Sequence, residues 1–580
     1  MQNINQKELG AYYTPSGTAK HLVQTSLSAF FLHDIRNATG KFFVSLGDAL
    51  SASDQNVINR LDQAARQIRV LDGAVGDGQL ILAALEFLSQ VRQVTNRRLM
   101  AKVITEHDLL RDIVQSNLFA MDIASMAVQE CRENIIALFG QIQNSEKNAI
   151  NTNIMRNLIQ GNFLESTLDN WSNLKGIKGV DIVLGNPPWG RNILDQKEKF
   201  RWKKEFNIQS SLRNLNVFEI FLHKATHLLA PSRGILGFLL PKNFTRSNHY
   251  TALREFILNT YQILTLDFFN LFQDVTQEFI SLVARKAELI PSDHKIVVDK
   301  KIQIPQLLYS QTIDFIFTRD YNSEFRQIHQ AIIHNSHPLE SFVTIRRGEE
   351  LSKKGTIMFC PRCKEWVPFS SRKRDTICPR CTKAIPKTQL QLYHLIKSRP
   401  DDKHTEHILT GLDFGEFEIK TTHYFDDSVP FYSKKDTGIY KSPKLIVQKI
   451  KRVPCAAFDD DSHRTTQNVY NLQLKSDYKG SPEILFYILA ILNSRLIQWY
   501  YERQFNLGSH YTNAISIRNL RRFPLKDANL LEGTGFEIVK LSKSLSNTST
   551  SSSSFKTLCE KLDTAVLQHF GLSDIQLPII

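Results

Sequence analysis

Asp181-Ile182-Val183-Leu184-Gly185-Asn186-Pro187-Pro188-Trp189 is an apolar run cut short by an amide, two prolines and an aromatic ring. Its apolar residues read as a buried strand, and Pro187 and Pro188 stop that strand abruptly. Proline fixes φ and lacks an N–H, so the turn is rigid and its carbonyls are left to accept hydrogen bonds. Asn186 then stands at the carboxyl end of a strand, where open α/β sheets place ligands. An amide oxygen and a proline carbonyl can together accept both hydrogens of one amino group, and Trp189 offers a flat face beside them. The stretch predicts a site for a planar aromatic ring bearing an exocyclic amine.

Upstream, Ile68-Arg69-Val70-Leu71-Asp72-Gly73-Ala74-Val75-Gly76-Asp77-Gly78-Gln79-Leu80 predicts a short strand, a glycine-rich turn and a helix continuing through Ile81 to Leu88. Glycines let a ligand approach the backbone, and the helix start offers unpaired N–H groups. Leu118-Phe119-Ala120-Met121-Asp122-Ile123 predicts a second strand ending in an acid, which suits a ribose diol. Leu158-Ile159-Gln160-Gly161-Asn162-Phe163 predicts a third, with a polar group and a ring able to bracket adenine. The Asn186 strand is the fourth. Strands separated by helical segments give a doubly wound, mostly parallel sheet with every ligand-type residue on one edge.

This order resembles the gamma class of DNA N(6)-adenine methyltransferases of Type II and Type IIG restriction–modification systems. Asn186 to Trp189 is similar to that family's catalytic motif, Asn, Asp or Ser followed by Pro-Pro and an aromatic. Gly10-Ala11-Tyr12-Tyr13-Thr14-Pro15, then Ala19 and Leu22-Val23, resembles its amino-terminal motif. The resemblance is strong over residues 8 to 290 and looser beyond. It implies a Rossmann-like fold that binds S-adenosylmethionine. Tyr13, Thr14 and Pro15 would line the methionine end, with Asp72, Gly73, Ala74, Gly76 and Gly78 beside it. Asp122 and Ile123 would meet the ribose side, and Asn162 and Phe163 the adenine, where the family more often has Asp in place of Asn162. The implied reaction moves a methyl group to an adenine flipped out of duplex DNA. Asn186 and the Pro187 carbonyl would hold the amine within the Asn186-Pro187-Pro188-Trp189 motif. Trp189 would stack on one face of the base, and Phe272, in Phe268-Phe269-Asn270-Leu271-Phe272, on the other. Arg254 reads as structural. Lys197 to Lys204 reads as a charged helix that is either solvated or placed on phosphates.

Cys360-Pro361-Arg362-Cys363 and Cys378-Pro379-Arg380-Cys381 form a matched pair separated by fourteen residues. That spacing suits a tetrahedral thiolate zinc site, and the other three cysteines stand alone, which argues against a disulfide framework. The pair predicts a structural zinc ribbon at 358–384. Arg362, Arg372, Lys373, Arg374 and Arg380 are candidates for DNA contact. Val343 to Glu350, Pro443 to Lys449 and Ile484 to Arg495 resemble landmarks of the family's target-recognition domain. Ser542 to Ser554 reads as a flexible low-complexity loop, and Phe555 to Phe570 as a last helix.

The expected organisation is therefore a catalytic domain at 1–335, an α+β target-recognition domain with a zinc ribbon at 336–530, and a helical tail at 531–580. A formal net charge of +14 over 580 residues favours a polyanionic partner. Double-stranded DNA is the expected partner, with a separately encoded restriction endonuclease or defence subunit as a further one. No apolar run has the length of a membrane span, and the polar residues Gln2 to Glu8 lack signal-peptide grammar, so a cytoplasmic enzyme is expected. Three alternatives stand beside this reading: an RNA or protein amino-methyltransferase, a bifunctional Type IIG enzyme that also cleaves, and a non-enzymatic DNA-binding subunit with a decayed active site, against which the intact Asn186 to Trp189 and Gly73 to Gly78 argue. The second is disfavoured because such enzymes carry a nuclease domain ahead of the first motif, which lies here within about fifteen residues of Met1.

Overall fold

The structure, a computed structural model, describes residues 14–100, 104–140, 152, 154, 156–190, 193–269, 278–319, 321, 323–352, 354–369, 376–505, 514–526, 532–575 and 577. Tyr13, Phe272 and the Arg372-Lys373-Arg374 run lie outside them. Packing divides the chain into two compact units, residues 1–319 and 320–580.

The first unit is built on a nine-stranded sheet. Its strands are β1 (Val70–Asp72), β2 (Leu118–Asp122), β3 (Leu158–Gln160), β4 (Ile182–Gly185), β5 (Ile235–Pro241), β6 (Tyr261–Phe269), β7 (Phe279–Lys286), β8 (Lys295–Val298) and β9 (Ile302–Pro305). They lie in the order β3-β2-β1-β4-β5-β7-β6-β8-β9. The five strands from β3 to β5 pair in parallel. Helices cover parallel sheets on both faces, which is why β1, β4 and β5 are continuous buried runs without polar alternation. Chain order reverses between β1 and β4, so the carboxyl ends of these two neighbours border the crevice at which such sheets take ligands.

Helix Ser16–Thr39 packs across β5 and helix Gln79–Arg98. Its buried stripe of Ala19, Leu22, Val23, Ser26, Leu27, Phe30, Phe31 and Ile35 follows the three- and four-residue spacing of one helical face. Full burial of each large apolar side chain contributes about 1.5–3 kcal/mol, so this face anchors the preceding Thr14 and Pro15 against the sheet.

In the second unit, Val343–Arg347, Val469–Leu474, Lys444–Gln448 and Ala456–Asp459 form an antiparallel sheet. Helix Glu483–Asn493 packs on two of its strands, and helices Thr534–Ser546 and Ser553–His569 pack on each other. Within this sheet the fully buried Lys444 pairs with Asp459, whose second oxygen meets His463 Nδ1 at 2.8 Å. The serine-rich stretch departs from the expected flexible loop. Ser542 is fully buried inside one helix, and Ser552 caps the next by accepting the Phe555 N–H at 3.1 Å. Apolar residues at helical spacing, Ile538, Val539 and Leu545, outweigh the modest helix propensity of serine, and a serine hydroxyl is a good N-cap. A separate three-stranded sheet, with Thr356–Cys360 between Glu365–Pro368 and Leu392–His394, carries the cysteines. No helix among the described residues is long and apolar enough to cross a membrane.

Gly78 has φ +89°, and a Cβ there would lie 2.6 Å from the Cys131 sulfur. Backbone strain and overpacking act together at this turn, so Gly78→Ala is expected to destabilise the first unit by about 2 kcal/mol or more. Urea denaturation should show a lower midpoint; an unchanged midpoint would contradict the packing described.

Candidate active site and cysteine cluster

Both crevice strands end in the residues singled out from the sequence. Asp72 closes β1 and is 1% exposed, and its Oδ1 accepts the Ala74 N–H at 3.0 Å. β4 ends at Gly185, and Asn186 follows. Register holds the two ends level, with Asp72 opposite Leu184. A cleft opens between them, lined by Thr14, Asp72, Ala74, Val75, Gly76, Asp77, Gln79, Leu80 and Asn186. Asn186 Nδ2 donates to Thr14 Oγ1 at 3.2 Å, which turns the amide nitrogen to Thr14 and the amide oxygen away from it. Pro15 is the N-cap of helix Ser16–Thr39, and its carbonyl accepts from Thr18 and Ala19, both at 3.0 Å.

The cleft is acidic, and no Lys or Arg is among the described residues that line it. Burial pushes the Asp72 carboxyl up to about 7; the Ala74 N–H opposes this, and the nearby Asp122 and Asp77 charges add to it. Asp77 is also raised, chiefly by burial, against a hydrogen bond from Gln79 at 3.0 Å. Carboxylates held in this way favour a cationic occupant, because a positive charge lowers the cost of ionising them.

The other expected cofactor residues support the loop more than they line the cleft. Asp122 accepts Gly76 N–H at 3.0 Å and Ala124 N–H at 2.9 Å, so both oxygens hold backbone. Ile123 is 70% exposed. Asn162 caps its own turn, accepting the Leu164 N–H at 3.1 Å. Phe163 is buried against the loop: a Cβ on Gly73 would lie 2.4 Å from its ring, so only glycine fits there. Gly78 is the N-cap of helix Gln79–Arg98.

Past the two prolines, Trp189 is half-buried and packs on the main apolar cluster. Asn216, a residue without a motif, holds the exit of this turn: its Oδ1 accepts the Gly190 N–H at 3.1 Å. Arg254 is fully buried and donates to the carbonyls of Phe244, Ser247 and Asp314, a structural role. The charged helix Gln196–Glu205 is not a uniformly solvated face, since Lys199 and Trp202 are buried and Lys203 Nζ donates to Ser210 O at 2.7 Å. Sequence patterns do not reveal these tertiary contacts, nor that Val75, Asp77, Gln79 and Leu80 line the cleft.

In the second unit, the sulfurs of Cys360, Cys363, Cys378 and Cys381 all lie within 4.8 Å of one another. Cys360–Cys381 and Cys363–Cys378 are each separated by 3.9 Å. Four thiolates on a tetrahedral zinc, each at about 2.3 Å, would stand about 3.8 Å apart. The donor set and its spacing therefore fit that ion.

Residues 116–273 match the Eco57I restriction-modification methylase family, and residues 406–525 match the TaqI-like C-terminal specificity domain. A protein of Methanocaldococcus jannaschii named as a type II restriction enzyme and methyltransferase is 26% identical over 342 residues, covering 56% of this chain and 25% of that protein. The chain thus spans about a quarter of the length of this curated relative. Among solved structures, the Type IIL restriction-modification enzyme MmeI in complex with DNA has a TM-score of 0.59 at 14% identity, covering 100% of this chain and 78% of that one. A nuclease-deletion mutant of the Type ISP restriction-modification enzyme LlaGI, in complex with a DNA substrate mimic, has a TM-score of 0.50 at 11% identity, covering 93% and 47%. These likenesses concern the fold. By sequence, then, residues 116–273 match an Eco57I-type restriction-modification methylase domain and residues 406–525 a TaqI-like C-terminal specificity domain.

Proposed function

We propose that this chain is a site-specific DNA adenine-N(6) methyltransferase that uses S-adenosylmethionine within a restriction–modification or phage-defence system. In this reading residues 1–335 form the catalytic module, 336–530 select the DNA site, and 531–580 form a helical tail. A separately encoded endonuclease or defence subunit is the further partner it implies. The observation that supports the reading most is the placement of the Asn186 amide on the rim of an acidic cleft whose other wall is the Asp72 loop.

The cleft residues fit the cationic end of the cofactor, with Asp72 and Asp77 facing the positive charge and the glycine turn offering backbone. When bound, S-adenosylmethionine supplies an electrophilic methyl group on a sulfonium. The chain's own contribution is at the amine. An exocyclic amine is a weak nucleophile because its lone pair is delocalised into the ring. Asn186 Oδ1 and the Pro187 carbonyl accept its two hydrogens, turn the lone pair out of the ring and stabilise the charge that develops on nitrogen. Thr14 keeps the amide in the sense that presents oxygen, and Asn216 keeps the following turn in place. Positioning provides much of the remaining acceleration. The target amine is out of reach inside a duplex, so the base is flipped out, with Trp189 and Phe272 as the rings that receive it. We further assign a structural zinc to Cys360, Cys363, Cys378 and Cys381, which would join the two knuckles of the small sheet.

Asn186→Ala is expected to lower methyl transfer to duplex DNA by about 10²–10³-fold, with affinities for cofactor and DNA changed less than threefold. Loss of binding in parallel with activity would make Asn186 structural. Asp72 is neutral below its raised value of about 7 and anionic above it. Affinity for S-adenosylmethionine should therefore rise between about pH 5.5 and 7.5, before the cofactor's own amino group titrates. Asp72→Asn should flatten that profile; calorimetry showing a flat profile in the parent chain would contradict the assignment. Metal analysis should find one zinc per chain, and Cys363→Ser should reduce it below half. Unchanged zinc content in that variant would remove the cysteines as ligands.

A further inference from the structure

Positive charge is concentrated in a segment that lies outside both family matches. Residues 353–403 hold thirteen Lys and Arg against four Asp and Glu, a surplus of nine out of fourteen for the whole chain. The methylase match ends at 273 and the specificity match begins at 406. Within this segment the clustered sulfurs bring both Cys-Pro-Arg-Cys knuckles to one tip, at the end of the hairpin formed by Thr356–Cys360 and Glu365–Pro368. Arg362 and Lys364 flank Cys363, and Lys383 lies two residues past Cys381. All three are exposed, and none forms an ion pair with another described residue. Glu365, the acid of this hairpin, is already paired with Arg380.

A ribbon that served only as a staple would not need this charge. Its packing rests on Met358, Cys360, Val367, Cys378 and Ile385, all buried. Like charges crowded on one rigid tip repel unless a polyanion meets them, and duplex DNA carries one negative charge per roughly 1.7 Å of axis. We propose that the tip carrying Arg362, Lys364 and Lys383 is a phosphate clamp for duplex DNA, adding affinity to the methylase without reading sequence. The clamp rests on the reading that DNA is the substrate. Phosphate contacts position a protein on the duplex and carry no sequence information directly, so its signature is a sequence-independent, salt-sensitive contribution.

The test uses the full chain carrying Arg362→Ala, Lys364→Ala and Lys383→Ala together, with zinc content measured to show that the module is intact. Binding to two labelled duplexes of unrelated sequence, each of roughly 40 bp, is followed by anisotropy between about 50 and 200 mM salt. The clamp predicts weaker binding to both duplexes by the same factor, and a salt slope reduced by about 0.9 for each phosphate the variant no longer neutralises. Methyl transfer at saturating DNA should be unchanged. Parent-like affinity and slope, with zinc retained, would overturn the clamp and leave only the staple. Weakening confined to one duplex with an unchanged slope would overturn it in favour of base reading. A parent chain that transfers methyl groups to neither duplex and binds neither would remove the DNA reading itself, and the clamp with it.

Discussion

The parallel pairing of β1 with β4 is the constraint on which the candidate site depends. It sets Asp72 opposite Leu184, so the glycine turn after one strand and the Asn-Pro-Pro-Trp turn after the other leave the sheet side by side. Asp181 reinforces the pairing at the opposite ends of the strands, where its Oδ2 accepts the Arg69 N–H at 3.0 Å. A strand shifted by one residue exchanges its two faces, and these strands are buried on both, so slippage would disturb packing along the whole core. The site inherits its precision from that register. The helix Ser16–Thr39 adds the third wall, because its apolar face fixes where Thr14 must lie.

The cleft combines two unlike demands. Its floor buries carboxylates, which is unfavourable for a protein without a cation to meet them. Its rim carries an amide whose nitrogen donates to the Thr14 hydroxyl. A ligand that is cationic at one end and delivers an electrophile to an amine at the other answers both demands. The chemistry proposed for Asn186 needs no strong base in the cleft, since the amine proton becomes acidic only after the methyl group has moved.

Much of this arrangement was legible in the residues because it is local. Pro187 and Pro188 announce a rigid turn whatever surrounds them, and paired Cys-x-x-Cys spacings announce four sulfurs that come together. The four strands from Val70 to Gly185 were visible as short apolar runs, and each was found. What could not be read was where polar side chains turn once packed. Asn162 was expected to face a ligand, but an asparagine after a strand readily caps its own backbone, and it does so here. Asp122 similarly supports the glycine loop with both oxygens. The Thr14–Asn186 hydrogen bond joins residues far apart in the chain through helix packing, and no local pattern encodes it. Ser542 to Ser554 misled in the opposite direction, because composition suggested flexibility while the spacing of Ile538, Val539 and Leu545 carried a helix.

Everything proposed for this chain turns on whether the Asn186 cleft methylates an exocyclic amine of a DNA base. The decisive experiment incubates the chain with labelled S-adenosylmethionine and unmodified plasmid DNA, then digests the DNA to nucleosides and identifies the labelled one. The label is expected in N(6)-methyladenine. Label found only in RNA or protein, with none in DNA, would keep the fold and contradict the function.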